Sequence, residues 1–530
     1  MTTYQQRVSA FKNRHGIGNR RRNPVHIARR STGFDDWDSS NSAGGWNGAK
    51  FNRLTADWLL STRTQDAEIQ GDICALRDRC RSIGRTDWGV SAKRALINNV
   101  LKDEVGYALQ MQIMRAPDFT VADKQANDII ETAWREWCMK QHCTVTGADS
   151  FFDVLVYDLI GLLESGGLLL RKINDANHPF GFALKVIEVD HIDTQRTESL
   201  PNGNRVVMGV EKNDMGRVVA YHLTKNHPGD LILGANARYN TSRVDASEII
   251  HHFIRERPGQ SLGVPILAPS LARIRQLQQY ELAEVIAARS AAEKGGYFTS
   301  KAGDKYNGED ELDENGNPIG TLSDSEPGQN DVLPDGMTFT PYDPTHPTSQ
   351  YGQFTKDQLL GIAAGWGVDY ATLTGDLSNA NYSSMRSGKL ESQETWKKLQ
   401  SHQICHLVRE VFDAWLPSAI LSGAIKLPMS KLKIFNKPKF KGRRWPWVDP
   451  SKDIAAAKEE ISFGLNTRSN YLAESDTGED FEDIVNELKN EKMLAEKAGL
   501  NFDSQPSGVK TGVKLEYSED DQEDSKSPEK

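Results

Sequence analysis

Few residues of this chain are spaced for chemistry, and each candidate can be weighed by its geometry. His402, Cys405 and His406 stand at i, i+3 and i+4, so a helix would bring them to one face, where imidazole and thiolate can hold zinc. No fourth ligand stands close in sequence and the flanking residues suit a packed helix, so a core or interface role is expected and no metal. His251 and His252 close a predicted strand, where consecutive side chains point to opposite faces, a poor geometry for one ion. Between Glu311 and Leu322, Asp313, Asn315 and Gly316 imitate a calcium loop. Aligning Gly316 with the sixth position puts Leu322 where a bidentate glutamate is required, and Pro318 falls inside the loop. The chain has no Walker loop, no G-x-S-x-G elbow and no H-E-x-x-H. The neighbouring carboxylates Asp520 and Asp521 lie in a polar tail with no cleft to tune them. These residues predict a non-enzymatic chain without a cofactor.

One segment is richer. From Lys437 to Trp447 the chain interleaves Lys437, Lys439, Lys441, Arg443 and Arg444 with Phe440, Trp445 and Trp447, a pattern that binds single-stranded nucleic acid when the rings are free to stack. Pro438 and Pro446 stiffen it and its flanks look structural, so a loop bracing neighbouring subunits, or a solvated edge, is the preferred reading.

The elements that must position these residues follow from periodicity. Apolar residues fall at helical spacing from Thr62 to Met114, from Ala122 to Lys140 and from Phe151 to Leu163. Gly166 and Gly167 then break the helix. Short β-branched strands are predicted at Leu168 to Lys172, Ala183 to Val189, Val206 to Glu211, Arg217 to Leu223 and Glu248 to Phe253, a small antiparallel sheet region. A long helix from Pro265 to about Lys294, roughly 40 Å at the usual rise, carries the stripe Leu267, Leu271, Ile274, Leu277, Leu282, Val285 and Ile286. Tyr297 to Pro347 is irregular. Helices are predicted again at Gln350 to Ala364, Ser383 to Trp415, Ser451 to Gly464 and Phe481 to Ala498, with a polar loop from Trp366 to Tyr382 and a strand at Leu432 to Phe435.

Composition bounds the rest. At 530 residues the chain has room for about three domains. Its 38% apolar content is enough for real cores, and with 26% charged residues it suits a protein that hides surface in an assembly. The best apolar run, Phe151 to Leu170, is interrupted by Asp153, Asp158 and Glu164, so no membrane span is expected. The N-terminal stretch has no apolar segment of the kind a signal peptide needs, so the chain is expected in the cytosol or in something assembled there. Five cysteines, Cys74, Cys80, Cys138, Cys143 and Cys405, argue against a disulfide framework. The net charge of −9 is unevenly spread. The first 33 residues carry eight arginines and lysines and no acid, while the last fifteen are mostly acidic. Both ends are expected to be solvated and disordered, the basic arm able to touch nucleic acid or an acidic partner.

Ordered along the chain, several motifs resemble those of lambda-family phage portal proteins. Arg255-Glu256-Arg257-Pro258-Gly259-Gln260-Ser261-Leu262-Gly263-Val264-Pro265 resembles the opening of that family's first stem helix. Glu326-Pro327-Gly328 and Leu333-Pro334-Asp335-Gly336 resemble its exit from the clip. The strongest similarity runs from Gly361 to Tyr370, continues through Leu373-Thr374-Gly375-Asp376, and ends at Asn381-Tyr382-Ser383-Ser384-Met385-Arg386. Trp447 to Asp453 and Gly464 to Arg468 resemble the C-terminal segment. The resemblance spans about Arg77 to Asp483. Two positions depart from it: the family usually has Arg where Leu262 stands and a small or aliphatic residue where Trp366 stands.

The resemblance implies an α+β, portal-type fold with a mixed α/β wing (61–264), a two-helix stem (265–296 and 348–366), an irregular clip (297–347), a tunnel loop region (367–383) and a long helix leading to a helical crown (384–498). Flanking these are the basic arm (1–60) and the acidic tail (499–530). It implies a homo-oligomeric ring, usually of twelve subunits, at the unique vertex of a virion capsid, with assembly in the host cytoplasm. The implied partners are double-stranded DNA in the channel, the terminase large subunit, major capsid and scaffold proteins, and head-tail connector proteins, with no membrane. The tunnel loop would be Asp376, Leu377, Ser378, Asn379, Ala380, Asn381, Tyr382 and Ser383, and the stem would pack through Leu271, Ile274, Leu277, Leu282 and Val285. The competing readings are a cytosolic nucleic-acid-binding protein using the basic arm and residues 437–447, and an unrelated enzyme.

Overall fold

The computed structural model describes residues 63–498 apart from 103–105, 115–122, 231–240, 293–295, 301–310, 313–317, 320–336, 342–349, 379–381, 444, 446–449, 469–470 and 472–480. The basic arm, the acidic tail, most of the expected clip with its calcium-like loop, and the middle of the expected tunnel loop therefore lie outside the described residues.

The first half of the described chain is helical: α1 Gln65–Ile69, α2 Ile73–Ile83, α3 Asp87–Val100, α4 Lys124–Trp137, α5 Lys140–Cys143 and α6 Phe151–Glu164. Sequence explains the boundaries. In α4, Ala126, Ile130, Ala133, Trp134 and Trp137 recur on one face, and all are buried. Asp123 caps its start, accepting from the Ala126 amide at 3.4 Å. Ser150 and Asp153 close a reciprocal box at the start of α6: the Ser150 amide donates to Asp153 Oδ2 at 2.8 Å and the Asp153 amide to Ser150 Oγ at 3.3 Å.

After Gly166 and Gly167 the period changes to two. A three-stranded antiparallel sheet has the order β3-β2-β9, from Phe182–Ile187, Leu168–Asn174 and Ile249–His252, with Leu170 opposite both Val186 and Ile250. Close approach is the reason for glycine at the entry to β2: a Cβ on Gly166 would stand 2.3 Å from the Gly263 carbonyl oxygen. A Cβ on Gly263 would stand 1.8 Å from the Gly166 carbonyl oxygen. A five-stranded meander follows: β4 Glu198–Ser199, β5 Arg205–Val207, β6 Val210–Lys212, β7 Val218–Thr224 and β8 Thr241–Asp245. The single strand expected over Val206 to Glu211 is thus a hairpin. Met208 (φ 48°) and Gly209 (φ 78°) form its two-residue turn, with Val207 paired to Val210. Only the glycine advertised that turn.

The second half begins with α7 Leu271–Ala292, then β10 Gly296–Ser300, the short pair β11 Glu311–Leu312 and β12 Pro318–Ile319, and β13 Met337–Pro341, which pairs with β10. Helix α8 Tyr351–Trp366 runs antiparallel to α7, and α9 Tyr370–Thr374 is a short turn. Helix α10 Tyr382–Gln403 passes through a π turn, Ile404–Val408, into α11 Arg409–Leu421. The helices α12 Leu432–Phe435, α13 Pro450–Ser462 and α14 Phe481–Ala498 complete the chain, with β14 Pro438–Lys441 between the first two.

Two expectations fail together. Leu432–Phe435 is a helical turn, not a strand, and the strand lies in the basic segment expected to be a loop. The reason is pairing. Ala108–Met111, within the stretch expected to be helical, is extended as β1 and pairs with Pro438–Lys441 in register Leu109 to Phe440. Gly106 at φ 69° separates α3 from this strand. Proline is tolerated at the end of the two-stranded ladder, opposite Met111.

The larger core joins α3, α4, α6, β2, β3, α7, α8 and α11. At its centre Trp134 stacks on Trp137 at 5.0 Å and meets Trp415 edge-on at 5.0 Å and Phe412 at 5.3 Å. Trp137 Nε1 donates to the Phe182 carbonyl at 3.0 Å. A smaller core lies under the meander around Leu169, Val189, Met208 and Val210. Both family departures are core residues. Leu262 is fully buried in the smaller cluster, and Trp366 in the larger one donates to the Leu267 carbonyl at 3.3 Å.

Candidate functional site

The expected tunnel loop leaves the end of α8 through two left-handed glycines. Gly367 (φ 68°) caps α8 and Gly375 (φ 73°) caps α9, each in a conformation that costs other residues energy. Asp369 caps α9, accepting from the Thr372 amide at 3.2 Å. The base of the loop is organised by Asp376. Its Oδ1 accepts from the Ser378 amide at 2.9 Å and from Ser378 Oγ at 2.6 Å, closing an Asx turn. Its Oδ2 accepts from the Tyr370 hydroxyl at 3.2 Å and lies 4.0 Å from Lys356 Nζ. The Ser378 hydrogen bonds, then Tyr370 and Lys356, hold this half-buried carboxyl below its usual range. Lys356 also sits over the Tyr370 ring, 5.5 Å from its centroid. Ser91 Oγ on α3 donates to the Leu373 carbonyl at 2.5 Å and ties α9 to the helical half. Beyond this anchor Leu377 is 55% exposed and Ser378 is exposed. Asn379, Ala380 and Asn381 lie outside the described residues, and α10 starts at Tyr382, with Ser383 in its first turn. Sequence reasoning missed Lys356, Tyr370 and Ser91. The Asp376-x-Ser378 spacing of the Asx turn was the available signal.

The expected stem face divides in two. Ile274 and Leu277 are 0% and 2% exposed, packed in the core shared with Leu359, Ile362 and Trp366, and Leu271 is partly buried against it. Further along α7 the stripe emerges: Leu282 is 60% exposed, Val285 62% and Ile286 54%. On α8, Phe354 and Leu360 are also exposed. The two helices approach closely because α8 carries Gly361 and Gly365. A Cβ on Gly361 would lie 1.4 Å from Arg273 Nη1, and one on Gly365 would lie 2.3 Å from Ser270 Oγ. Tyr280 meets Phe354 edge-on at 5.1 Å.

The aromatic half of the 437–447 motif is spent on the core. Phe440 packs against Trp134 and Phe412, at 6.1 and 5.8 Å, and Trp445 is buried beside Trp396 at 5.6 Å. These two rings are therefore engaged by the protein's own aromatics, while Trp447 lies outside the described residues.

The histidines do not form a ligand set. His252 Nδ1 lies 2.7 Å from Asp158 Oδ1, and His252 Nε2 lies 2.9 Å from His402 Nδ1. Gln403 donates to Asp158 Oδ2 at 2.8 Å and accepts from the Tyr107 hydroxyl at 2.6 Å. Asp158 is acceptor-only when ionised, so His252 donates to it from Nδ1 and accepts from His402 through Nε2. Cys405 is exposed and outside this chain of contacts. Burial, then His252 and His406, lowers the His402 pKa to about 4. Among the described residues one acidic group could hold an ion by proximity: Glu188, Asp190 and His227. Arg81 already donates to both carboxylates, and Arg77 lies 3.7 Å from Asp190, so their charge is neutralised by guanidinium. Among the described residues no helix is long and apolar enough to cross a membrane.

Comparison with known proteins places this geometry. Residues 51–400 match the family described as phage portal protein, lambda family. A probable portal protein of Halomonas phage phiHAP-1 is 30% identical over 457 residues, covering 85% of this chain and 87% of the relative. The portal protein of Escherichia phage N15 is 22% identical over 70% of this chain and 75% of its own length. Portal protein B of Escherichia phage lambda is 26% identical over 28% of this chain and 29% of its own. Among solved structures, the neck of an empty gene transfer agent particle is similar at a TM-score of 0.44 and 14% identity, over 76% of this chain and 92% of that one. The family match covers more than half of the chain, and a 30% identical relative spans most of both sequences: the chain belongs to the lambda family of phage portal proteins.

Proposed function

We propose that copies of this chain form a homo-oligomeric ring of about twelve subunits. The ring stands at the unique capsid vertex, forms the DNA channel for packaging and ejection, and docks the terminase large subunit and the head-tail connector. The role is structural, not catalytic. The major capsid and scaffold proteins meet it during assembly in the host cytoplasm. Residues 376–383 form the tunnel loop, and α7 and α8 form the stem.

The observation that carries this reading is the divided face of α7. A single chain buries Ile274 and Leu277 and leaves Leu282, Val285 and Ile286 more than half exposed on the same helix. An apolar strip of this kind, with Phe354 and Leu360 exposed on the paired helix, is covered when a neighbouring subunit supplies the missing side. Net charge agrees. At −9 per chain a ring repels the phosphate backbone on average, as a channel through which DNA must slide requires. Mass in solution and one electron micrograph test the proposal. The expected result is a closed ring of about 0.7 MDa from subunits of 59.1 kDa. A monomer at micromolar concentration would refute it.

A further inference from the structure

The basic part of the 437–447 motif is still without a role, and it belongs to a larger feature. From Lys426 to Arg444 the chain carries Lys426, Lys431, Lys433, Lys437, Lys439, Lys441, Arg443 and Arg444 and no acidic residue. In a chain of net charge −9 this is a local reversal of sign. Lys426, Lys431, Lys433, Lys437 and Lys439 are all exposed, and none has an ion-pair partner among the described residues.

The structure gives these lysines a rigid frame. Lys437 precedes β14, and its carbonyl accepts from the Gln112 amide at 2.9 Å. Lys439 faces Gln110 across the ladder, so no carboxylate stands opposite it. Strand alternation does the rest. Phe440 turns inward onto Trp134 and Phe412, so its neighbours Lys439 and Lys441 point the other way, with Lys437 two residues before Lys439 on the same side. Alternate residues of a strand are about 7 Å apart, so the row presents regularly spaced charges. Phe435, buried, anchors the preceding turn, which carries exposed Lys433. Asp413 pairs with Arg409 and accepts from Asn436, and Glu131 accepts from the Met111 amide.

We propose that this lysine ridge is a second, sequence-independent contact for duplex DNA, made to the phosphate backbone and outside the sliding path. Among the described residues the exposed charges of this row are flexible ammonium groups, which fit a phosphate backbone and not base edges. A channel lining must let DNA move, whereas a ridge of this charge grips it, so its place is where DNA is held. The proposal rests on the portal reading only for the identity of the polyanion; an acidic protein segment is the competing partner.

The test uses the full-length protein and covalently closed circular duplex, which has no end to enter a ring, so threading and surface binding separate. Wild type should bind the circles, with log affinity falling steeply against log salt. In Lys433→Gln/Lys437→Gln/Lys439→Gln the slope should fall by about 3 for each subunit in contact with the DNA, close to one per lost phosphate contact. Neutralising the N-terminal arm instead, by Arg20→Gln/Arg21→Gln/Arg22→Gln, should leave most of that slope. Because the three lysines are exposed, both variants should keep the wild-type ring mass, and that measurement reports on the portal reading independently. Failure of wild type to bind closed circles overturns the ridge proposal. So does unchanged binding in the lysine variant, or binding only to polyglutamate.

Discussion

His402, half-buried at the end of the contact chain from Asp158 through His252, and His251 both resist protonation in the fold. His402 is held at a pKa of about 4 by burial, His252 and His406, with Asp158 opposing the shift, and Arg255 adds to the depression. His251, next along β9, is lowered to about 3 by burial and by Arg77, His252 and Arg255, and neither of its ring nitrogens has a hydrogen-bond partner. Both are neutral when folded and accept a proton near pH 6.5 when unfolded. The unfolded state therefore binds more protons in this range. Their contribution is fully present above about pH 6.5 and is lost progressively as pH falls toward about 4 for His402 and about 3 for His251. The urea midpoint should drop between pH 7 and pH 5, before most carboxylates titrate, and His402→Gln should flatten that drop. A midpoint that is constant over this range would refute the assignment. Little of this network was legible in sequence. His402, Cys405 and His406 share a helical face as spacing demands, yet the partner of His402, His252, is 150 positions away, and His252 in turn meets Asp158, 94 positions from it. Nothing local in a strand ending His251-His252 announces that the second will meet a carboxylate on another helix.

At the scale of elements, spacing was informative wherever one chain segment decides its own face. Helices α4, α6 and α8 begin within a few residues of where periodicity put them, and the capping box at Ser150 could be read directly. Spacing failed where pairing decides. Strand β14 exists because β1 is extended beside it, and neither segment alternates clearly enough to show this alone. Helix α7 shows a third case. Its stripe was visible, but not that one half faces its own subunit. The two halves should respond differently to mutation. Ile274→Ala opens a cavity in a fully buried site and should cost the folded subunit about 2–5 kcal/mol, read by chemical denaturation. Leu282→Ser/Val285→Ser changes exposed positions and should move subunit stability by less than about 1 kcal/mol. That second variant should nevertheless shift the mass distribution from rings toward monomers. Intact rings from it would mean that this half of α7 does not meet a neighbouring subunit.

At the scale of the whole molecule, charge and polarity divide the labour the proposal requires. The first 33 residues of the N-terminal arm and the ridge each hold eight basic residues and no acid, the remainder of the chain has 48 basic against 73 acidic residues, and the loop at 376–383 carries one acid and no base. That acid is tied at the loop base by Ser378, Tyr370 and Lys356, and the rest of the segment is Leu377, small residues and Tyr382 in sequence. Asparagine and serine exchange short-lived hydrogen bonds with phosphate, without the long-range attraction of lysine or arginine. Reversing this choice tests whether the loop faces the DNA path. Asn379→Arg/Asn381→Arg adds two cations per subunit, multiplied around a ring. If the side chains point to the axis, the ring should assemble normally while packaged DNA per particle falls, because a collar of guanidinium groups holds the duplex at each step. The loss should lessen as salt is raised, since counterions compete for the same phosphates. A particle with intact rings and a full genome would place the loop away from the channel, whatever the stem helices do.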